Sequence, residues 1–180
     1  MKKISLAEGQ RLINSGPTII VTCGSIDKPN AITLAWSMVV SKTPPLIAIS
    51  IAPERYSHKL ISENKEFVIN VPASSQLDVV MVCGTRSGRN YDKFSHPGLT
   101  ATAAESVQTV AISECPGRLE CALVNSISAG DHTIFIGEVK AAFAEEAFFS
   151  EHLLLGDSNN RTLHHLGGIY FAVATDVITP

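Results

Sequence analysis

Several short segments carry side chains that can do chemistry. In the first, Asn30-Ala31-Ile32-Thr33-Leu34-Ala35-Trp36-Ser37 follows a turn-forming stretch and alternates polar with apolar residues, as a half-buried strand does. Trp36 is the only tryptophan in the chain, and a planar indole beside amide and hydroxyl groups suits the border of a flat heteroaromatic ligand. Asn30 offers both a donor and an acceptor to the polar edge of such a ring. The same pattern also fits a core tryptophan and a turn asparagine.

The second segment, Pro53-Glu54-Arg55-Tyr56-Ser57-His58-Lys59, reads as the end of a strand and the start of a helix. A helix N-terminus presents unpaired N–H groups and positive partial charge, so Arg55 and Ser57 can receive a phosphate there; a plain cap with solvated charges has the same sequence. The third, Cys83-Gly84-Thr85-Arg86-Ser87-Gly88-Arg89-Asn90-Tyr91-Asp92-Lys93-Phe94, concentrates cations around glycines. Backbone N–H groups at such a turn form a nest for an anion, with Lys93 or Arg89 to supply the balancing charge, although a solvated loop has the same composition. It has no Lys-Ser or Lys-Thr step of a Walker A loop, which argues against a nucleoside triphosphate. The fourth, Gly130-Asp131-His132-Thr133, puts an imidazole at a turn, where it either approaches a ligand or bonds to Asp131. Farther on, His164-His165 precedes Gly167-Gly168, where backbone can approach a ligand with Tyr170 or Phe171 facing a ring. Adjacent histidines on extended chain point apart, so no shared metal is expected.

The elements that position these residues are mainly strands. The chain has 180 residues, of which 45% are hydrophobic, enough for one sizeable core and one domain spanning 1–180. Short β-branched runs punctuated by Gly, Pro, Asn and Asp predict strands at 18–23, 31–38, 46–51, 67–71, 108–113, 117–128, 132–143 and 169–175. So many strands in this length suggest an antiparallel barrel. Three helices are expected: one capped by Ser5 with Glu8 in capping-box position and Leu6, Leu12 and Ile13 available for an apolar face, one opening at Pro53 or Ser57, and one opening at Ser74 or Ser75 and closing at Cys83-Gly84. Residues 116–143 read as a long hairpin turning at 128–131; its apolar surface needs cover, which a second copy of the chain would supply. The segment 150–166 reads as a loose connection.

The net charge of −3 gives no attraction to nucleic acid. No apolar run approaches the roughly 20 residues that cross a bilayer, and no leader pattern follows the basic start, so a cytoplasmic protein is expected. Cys23, Cys83, Cys115 and Cys121 form no CxxC pair and read as buried free thiols. A hydrolase pairing Cys23 or Cys83 with His132 is a competing reading, though nothing in the sequence places them together.

Taken in order, the segments resemble one family. Val21-Thr22-Cys23-Gly24, Asn30 to Trp36, Pro44-Pro45-Leu46-Ile47-Ala48-Ile49, Arg55-Tyr56-Ser57, Glu66-Phe67-Val68-Ile69-Asn70-Val71-Pro72, Cys83 to Phe94, Glu114-Cys115-Pro116, Leu119-Glu120-Cys121, Gly130 to Val139 and His165-Leu166-Gly167-Gly168 resemble the flavin reductase-like family, nearest its flavoredoxin branch. The resemblance spans roughly residues 10–175. It implies a mainly β fold with a few helices, the FMN-binding split β-barrel of Greek-key antiparallel type, and a homodimer holding FMN non-covalently. It also implies that Asn30, Ala31, Ile32, Thr33 and Trp36 line the ring side, and that Arg55, Ser57, Ser87, Arg89 and Lys93 serve the ribityl and phosphate groups. His132 is the catalytic candidate, and Tyr170 and Phe171 are aromatic contacts. The chain has Ser57 where the family often has Thr, and Ile169-Tyr170-Phe171 where it has an Asn-Arg-Tyr type ending. The implied activity is an oxidoreductase that passes electrons or hydride between NAD(P)H, or a redox partner protein, and flavin or a later acceptor. A tightly loaded electron carrier without NAD(P)H activity and a non-catalytic flavin-binding protein are the alternatives. With no GxGxxG signature, NAD(P)H is expected as a transient donor over the flavin.

Overall fold

The computed structural model describes residues 1–179. Eleven strands are present: β1 (Ile19–Ser25), β2 (Lys28–Leu34), β3 (Ser37–Lys42), β4 (Pro45–Ile51), β5 (Glu66–Val71), β6 (Ala101–Ala103), β7 (Val110–Ile112), β8 (Gly117–Ala129), β9 (His132–Ala144), β10 (Leu163–Gly167) and β11 (Tyr170–Val173). The α-helices are α1 (Leu6–Gly9), α2 (Tyr56–Asn64) and α3 (Leu77–Thr85).

Seven strands form one antiparallel sheet in the order β2-β1-β5-β8-β9-β4-β3. Only Ala35 and Trp36 separate its two outer strands, β2 and β3, and the Ser50 N–H donates to Trp36 O across this corner at 3.0 Å. The sheet therefore rolls into a barrel split at Ala35–Trp36. The first four strands meander; α2 then carries the chain back to place β5 beside β1, which is the Greek-key step. This is the split barrel expected from the sequence.

Alternation along β1 explains how two cores meet on one strand. Ile19, Val21 and Cys23 point into the barrel with Ile49, Ile51, Phe67, Ile69, Cys121 and Phe135, whereas Ile20 packs outward with Ala31, Val79, Val80, Cys83 and Leu99 beneath α3. A strand buried on both faces reads as an unbroken apolar run, as Ile19-Ile20-Val21 does. Asn70 ties the layers: its amide donates to Ile20 O at 3.0 Å and accepts from the Ile112 N–H at 2.8 Å. Gly137 is required where β9 crosses the barrel interior, because a Cβ there would lie 2.6 Å from Phe67 Cζ.

Several elements differ from the sequence expectation. The strand predicted over 31–38 is broken by the Ala35–Trp36 corner, and β3 runs on to Lys42. The connection at 150–166 ends in β10, which pairs with β11 through a Gly167–Gly168 turn. The Ser5–Glu8 capping box forms, but α1 is a single turn, and Leu6, Leu12 and Ile13 stay exposed instead of packing. Among the described residues, no helix is long and apolar enough to cross a membrane, and no group of three or more His, Cys, Asp or Glu is placed to hold a metal.

Candidate functional site

Two joined cavities open where the β2–β3 corner, the N-terminus of α2 and the loop after α3 converge. The first, of about 210 Å³, is lined by Asn30, Ile32, Arg55, Tyr56, Ser57, Arg86, Ser87, Gly88 and Lys93, among others. The second, of about 330 Å³, is lined by Ile32, Thr33, Leu34, Ala35, Trp36, Ser50, Ala52, Arg55, His132 and His165, among others. Ile32, Arg55 and Gly84 border both, so the two make one elongated cleft in the size range of small-molecule sites.

The first cavity is chemically an anion cradle. Arg55 occupies the cap position of α2 and offers no side-chain acceptor to the helix. The first two N–H groups of α2, those of Tyr56 and Ser57, therefore have no side-chain cap, and both residues line the cavity at the positive end of the helix dipole. Arg55 and Arg86 add charge at the rim; the ion pair of Arg55 with Glu54 is long, 3.9 Å, and exposed. Arg89 is not on the wall but lies 5.1 Å over the Tyr56 ring, which itself lines the cavity.

Asn30 sits at the centre, 3% exposed. Its Nδ2 donates to Ser57 Oγ at 2.7 Å, while its Oδ1 is buried with no partner. Buried polar atoms are ordinarily satisfied, so an orphaned acceptor in a cleft marks a place where a ligand donor fits. Gly88 makes room for it, since a Cβ there would come within 2.0 Å of Asn30 Oδ1.

Lys93 is only 4% exposed. Its ammonium donates to Ala31 O at 2.6 Å and Cys83 O at 2.8 Å, and burial lowers its pKa from the usual 10.5. It ties β2 to the end of α3 beneath the cradle. Ala31 contributes this carbonyl, its side chain being buried under α3. Thr33 likewise turns toward α3 and donates to Val80 O at 2.6 Å.

The second cavity is a slot with a ring on one side. Trp36 is tilted against His132 with centroids 4.7 Å apart, and His132 Nδ1 lies 2.7 Å from Asp131 Oδ1, a bond that lowers the Asp131 pKa. With the Asn14 amide oriented to suit its neighbours, Trp36 Nε1 donates to it at 2.7 Å and the amide donates to Ala35 O at 3.1 Å, fixing the indole from behind. Phe171 lines a neighbouring pocket, and Tyr170 is 70% exposed and lines none of these cavities.

The cleft thus gathers Asn30, Ile32, Thr33, Trp36, Arg55, Ser57, Ser87, Lys93 and His132, with Ala31 behind its wall. Arg86, Gly88, Tyr56 and His165 were not singled out as ligands from the sequence. Arg86 lies in the cationic loop, and the Gly88 requirement exists only because β2 passes beside it. Cys23 and Cys83 have thiols pushed up to about 11 by burial, which leaves no thiolate for a hydrolase.

A model of the flavin reductase like domain matches residues 11–164. The chain belongs to the flavin reductase-like family. It is 37% identical over 131 residues to an uncharacterized protein of Archaeoglobus fulgidus, with 73% of each chain covered. It is 32% identical over 126 residues to the FMN reductase (NADH) SmoA of Agrobacterium fabrum, covering 68% of this chain and 67% of that protein. Among solved structures, the flavoredoxin of Desulfovibrio vulgaris superposes with a TM-score of 0.81 at 26% identity, over 92% of this chain and 90% of that one.

Proposed function

We propose that the chain is an FMN-dependent oxidoreductase that passes electrons or hydride between NAD(P)H, or a redox partner protein, and a flavin or later acceptor. The observation that carries this reading is the orphaned Asn30 Oδ1 at the junction of an anion cradle and an indole-bordered slot. A flat ring with N–H donors on its edge and a terminal phosphate answers all three features. FMN bound non-covalently supplies the hydride and electron transfer.

The chain's own residues bind and orient. Asn30, Ile32, Thr33 and Trp36 hold the ring, with the Ala31 main chain behind them. Arg55, Ser57, Ser87 and the first turn of α2 hold the phosphate, joined by Arg86. Lys93 and Arg89 brace the loop and Tyr56. His132 faces the slot beside Trp36, its ring oriented by the Nδ1–H bond to Asp131, and would contact a bound ring there. Phe171 closes the neighbouring wall, and Tyr170 lies beyond it. NAD(P)H is a transient donor that stacks over the ring.

Likeness to an FMN reductase (NADH) supports the reductase reading, and likeness to a flavoredoxin supports the second reading, a carrier that keeps its flavin and exchanges electrons with a protein. We read the chain as one cytoplasmic domain working as a homodimer, with the exposed apolar residues Val124 and Ile127 of the long hairpin as part of the surface that needs cover.

The test is the visible spectrum after FMN loading and gel filtration, followed by anaerobic NADH or NADPH. Flavin bands eluting with a dimer and bleaching with nucleotide support the reductase; bands that persist favour the carrier. A protein that takes up no FMN refutes both.

A further inference from the structure

A compartment beside the ring slot is not used by the reading above. It has a volume of about 240 Å³, with Arg11, Asn14, Trp36, His165 and the Gly167 and Gly168 turn on its walls. Trp36 and His165 also border the ring slot, so a molecule bound here stands next to the flavin site across the indole.

Arg11 is the charge of this compartment. Among the described residues it forms no ion pair. Glu8 feels its field, but the Glu8 carboxylate is held by the Ser5 hydroxyl at 2.7 Å. The Arg11 side chain lies along the glycine turn: a Cβ at Gly167 would stand 3.0 Å from Arg11 Cδ and 3.2 Å from Nε. Any larger residue would push the guanidinium off this wall. His165 stands on the same wall, its Nε2 donating to Gly168 O at 3.1 Å. The compartment therefore combines the Arg11 guanidinium fork, an imidazole and the indole of Trp36.

We infer that this compartment is a second ligand site, taking the oxyanion of the small molecule that exchanges electrons with the flavin. Arg11 forks onto a carboxylate or phosphoryl group, and the flat part of the ligand lies toward Trp36. Naming the occupant as the flavin's reaction partner rests on the flavin reading; the anion site does not. A dinucleotide pyrophosphate and the carboxylate of a small aromatic acid present the same oxyanion, and the test separates them.

Because Trp36 is the only tryptophan, intrinsic emission reads this compartment directly. The full chain, with and without FMN, is titrated with ADP-ribose, which carries the dinucleotide's phosphates without its nicotinamide, and separately with benzoate. Saturation is expected with at least one probe, weakened roughly tenfold or more in Arg11→Ala and partly restored in Arg11→Lys. Saturation by ADP-ribose alone assigns a dinucleotide, by benzoate alone an organic acid, and by both a site for the shared oxyanion. If neither probe saturates, or if Arg11→Ala binds as tightly as the parent, the inference is wrong. Anion binding in a protein that takes up no FMN removes the flavin reading and leaves the site standing.

Discussion

The Asn30 amide nitrogen donates to Ser57 Oγ at 2.7 Å, joining β2 to the first turn of α2 at the middle of the cleft. Engaging the nitrogen fixes the amide and sets its oxygen, buried and unpartnered, against Gly88, where any Cβ would collide with it. Sheet, helix and glycine loop thus meet on one side chain.

Asn30→Ala is expected to weaken FMN binding at least about tenfold, the loss of one well-made polar contact. Some stability is lost as well, because buried Ser57 Oγ loses the donor it has at 2.7 Å, although the orphaned acceptor is removed with it. Gly88→Ala acts in the same direction by forcing Asn30 aside. Quenching of FMN fluorescence measures both; an unaltered dissociation constant in Asn30→Ala removes this residue from the ring site.

Lys93→Met is expected to destabilise the fold by about 3 kcal/mol, since it leaves the Ala31 and Cys83 carbonyls buried without donors. A phosphate ligand on the surface would instead lower FMN affinity and leave the melting temperature alone. Urea unfolding of the flavin-free protein distinguishes the two.

The thiols set an alkaline limit. Burial pushes Cys23 and Cys83 up to about 11 and Cys115 and Cys121 up to about 12, against 9.0 for an ordinary thiol. Their folded values lie above their unfolded ones. Their contribution is therefore complete below pH 9 and lost as pH rises toward 11 and 12. Lys93, lowered by burial, has the opposite sign below 10.5, but it is one group against four. The melting temperature should drop between pH 9 and 11, less steeply in Cys121→Ala. Near pH 8 the native protein should resist a thiol-specific disulfide reagent that labels all four cysteines after unfolding; rapid labelling of Cys23 or Cys83 would contradict this.

Glu120 is fully buried and accepts from the Glu105 N–H at 2.9 Å and the Ser106 N–H, with Arg118 Nε 3.2 Å away. Glu120→Ala leaves these donors facing apolar surroundings and should cost about 3 to 5 kcal/mol, a fall of roughly 10 °C in melting temperature for a chain of this size. Calorimetry reads it directly. A loss under about 1 kcal/mol would mean that water reaches the site.

The barrel was legible because β-branched runs and turn residues carry their own period, and the Ser5–Glu8 capping box is a local signal. The corner at Ala35–Trp36 was not: an alternating run continues through it, and only the pairing of Ser50 with Trp36 shows where the chain bends. The cradle was legible as types of residue but not as roles. Lys93 and Arg86 stand in one cationic loop, and nothing local says that the first turns inward to carbonyls while the second lines the cavity. Strand β10 is not legible because it is short and its partners, β11 across two glycines and the Pro17–Thr18 segment, are not implied by its own residues.

Lys93 has a consequence for how the sequence can drift. Its two acceptors are main-chain carbonyls, which every amino acid supplies, so the floor of the cleft is anchored to the path of the chain and not to the identities of residues 31 and 83. Substitution at either position can alter packing beneath α3 without removing the clamp. A library limited to small apolar side chains at those two buried positions, with Lys93 kept, should yield many folded members, whereas one that keeps Ala31 and Cys83 and varies residue 93 should yield few.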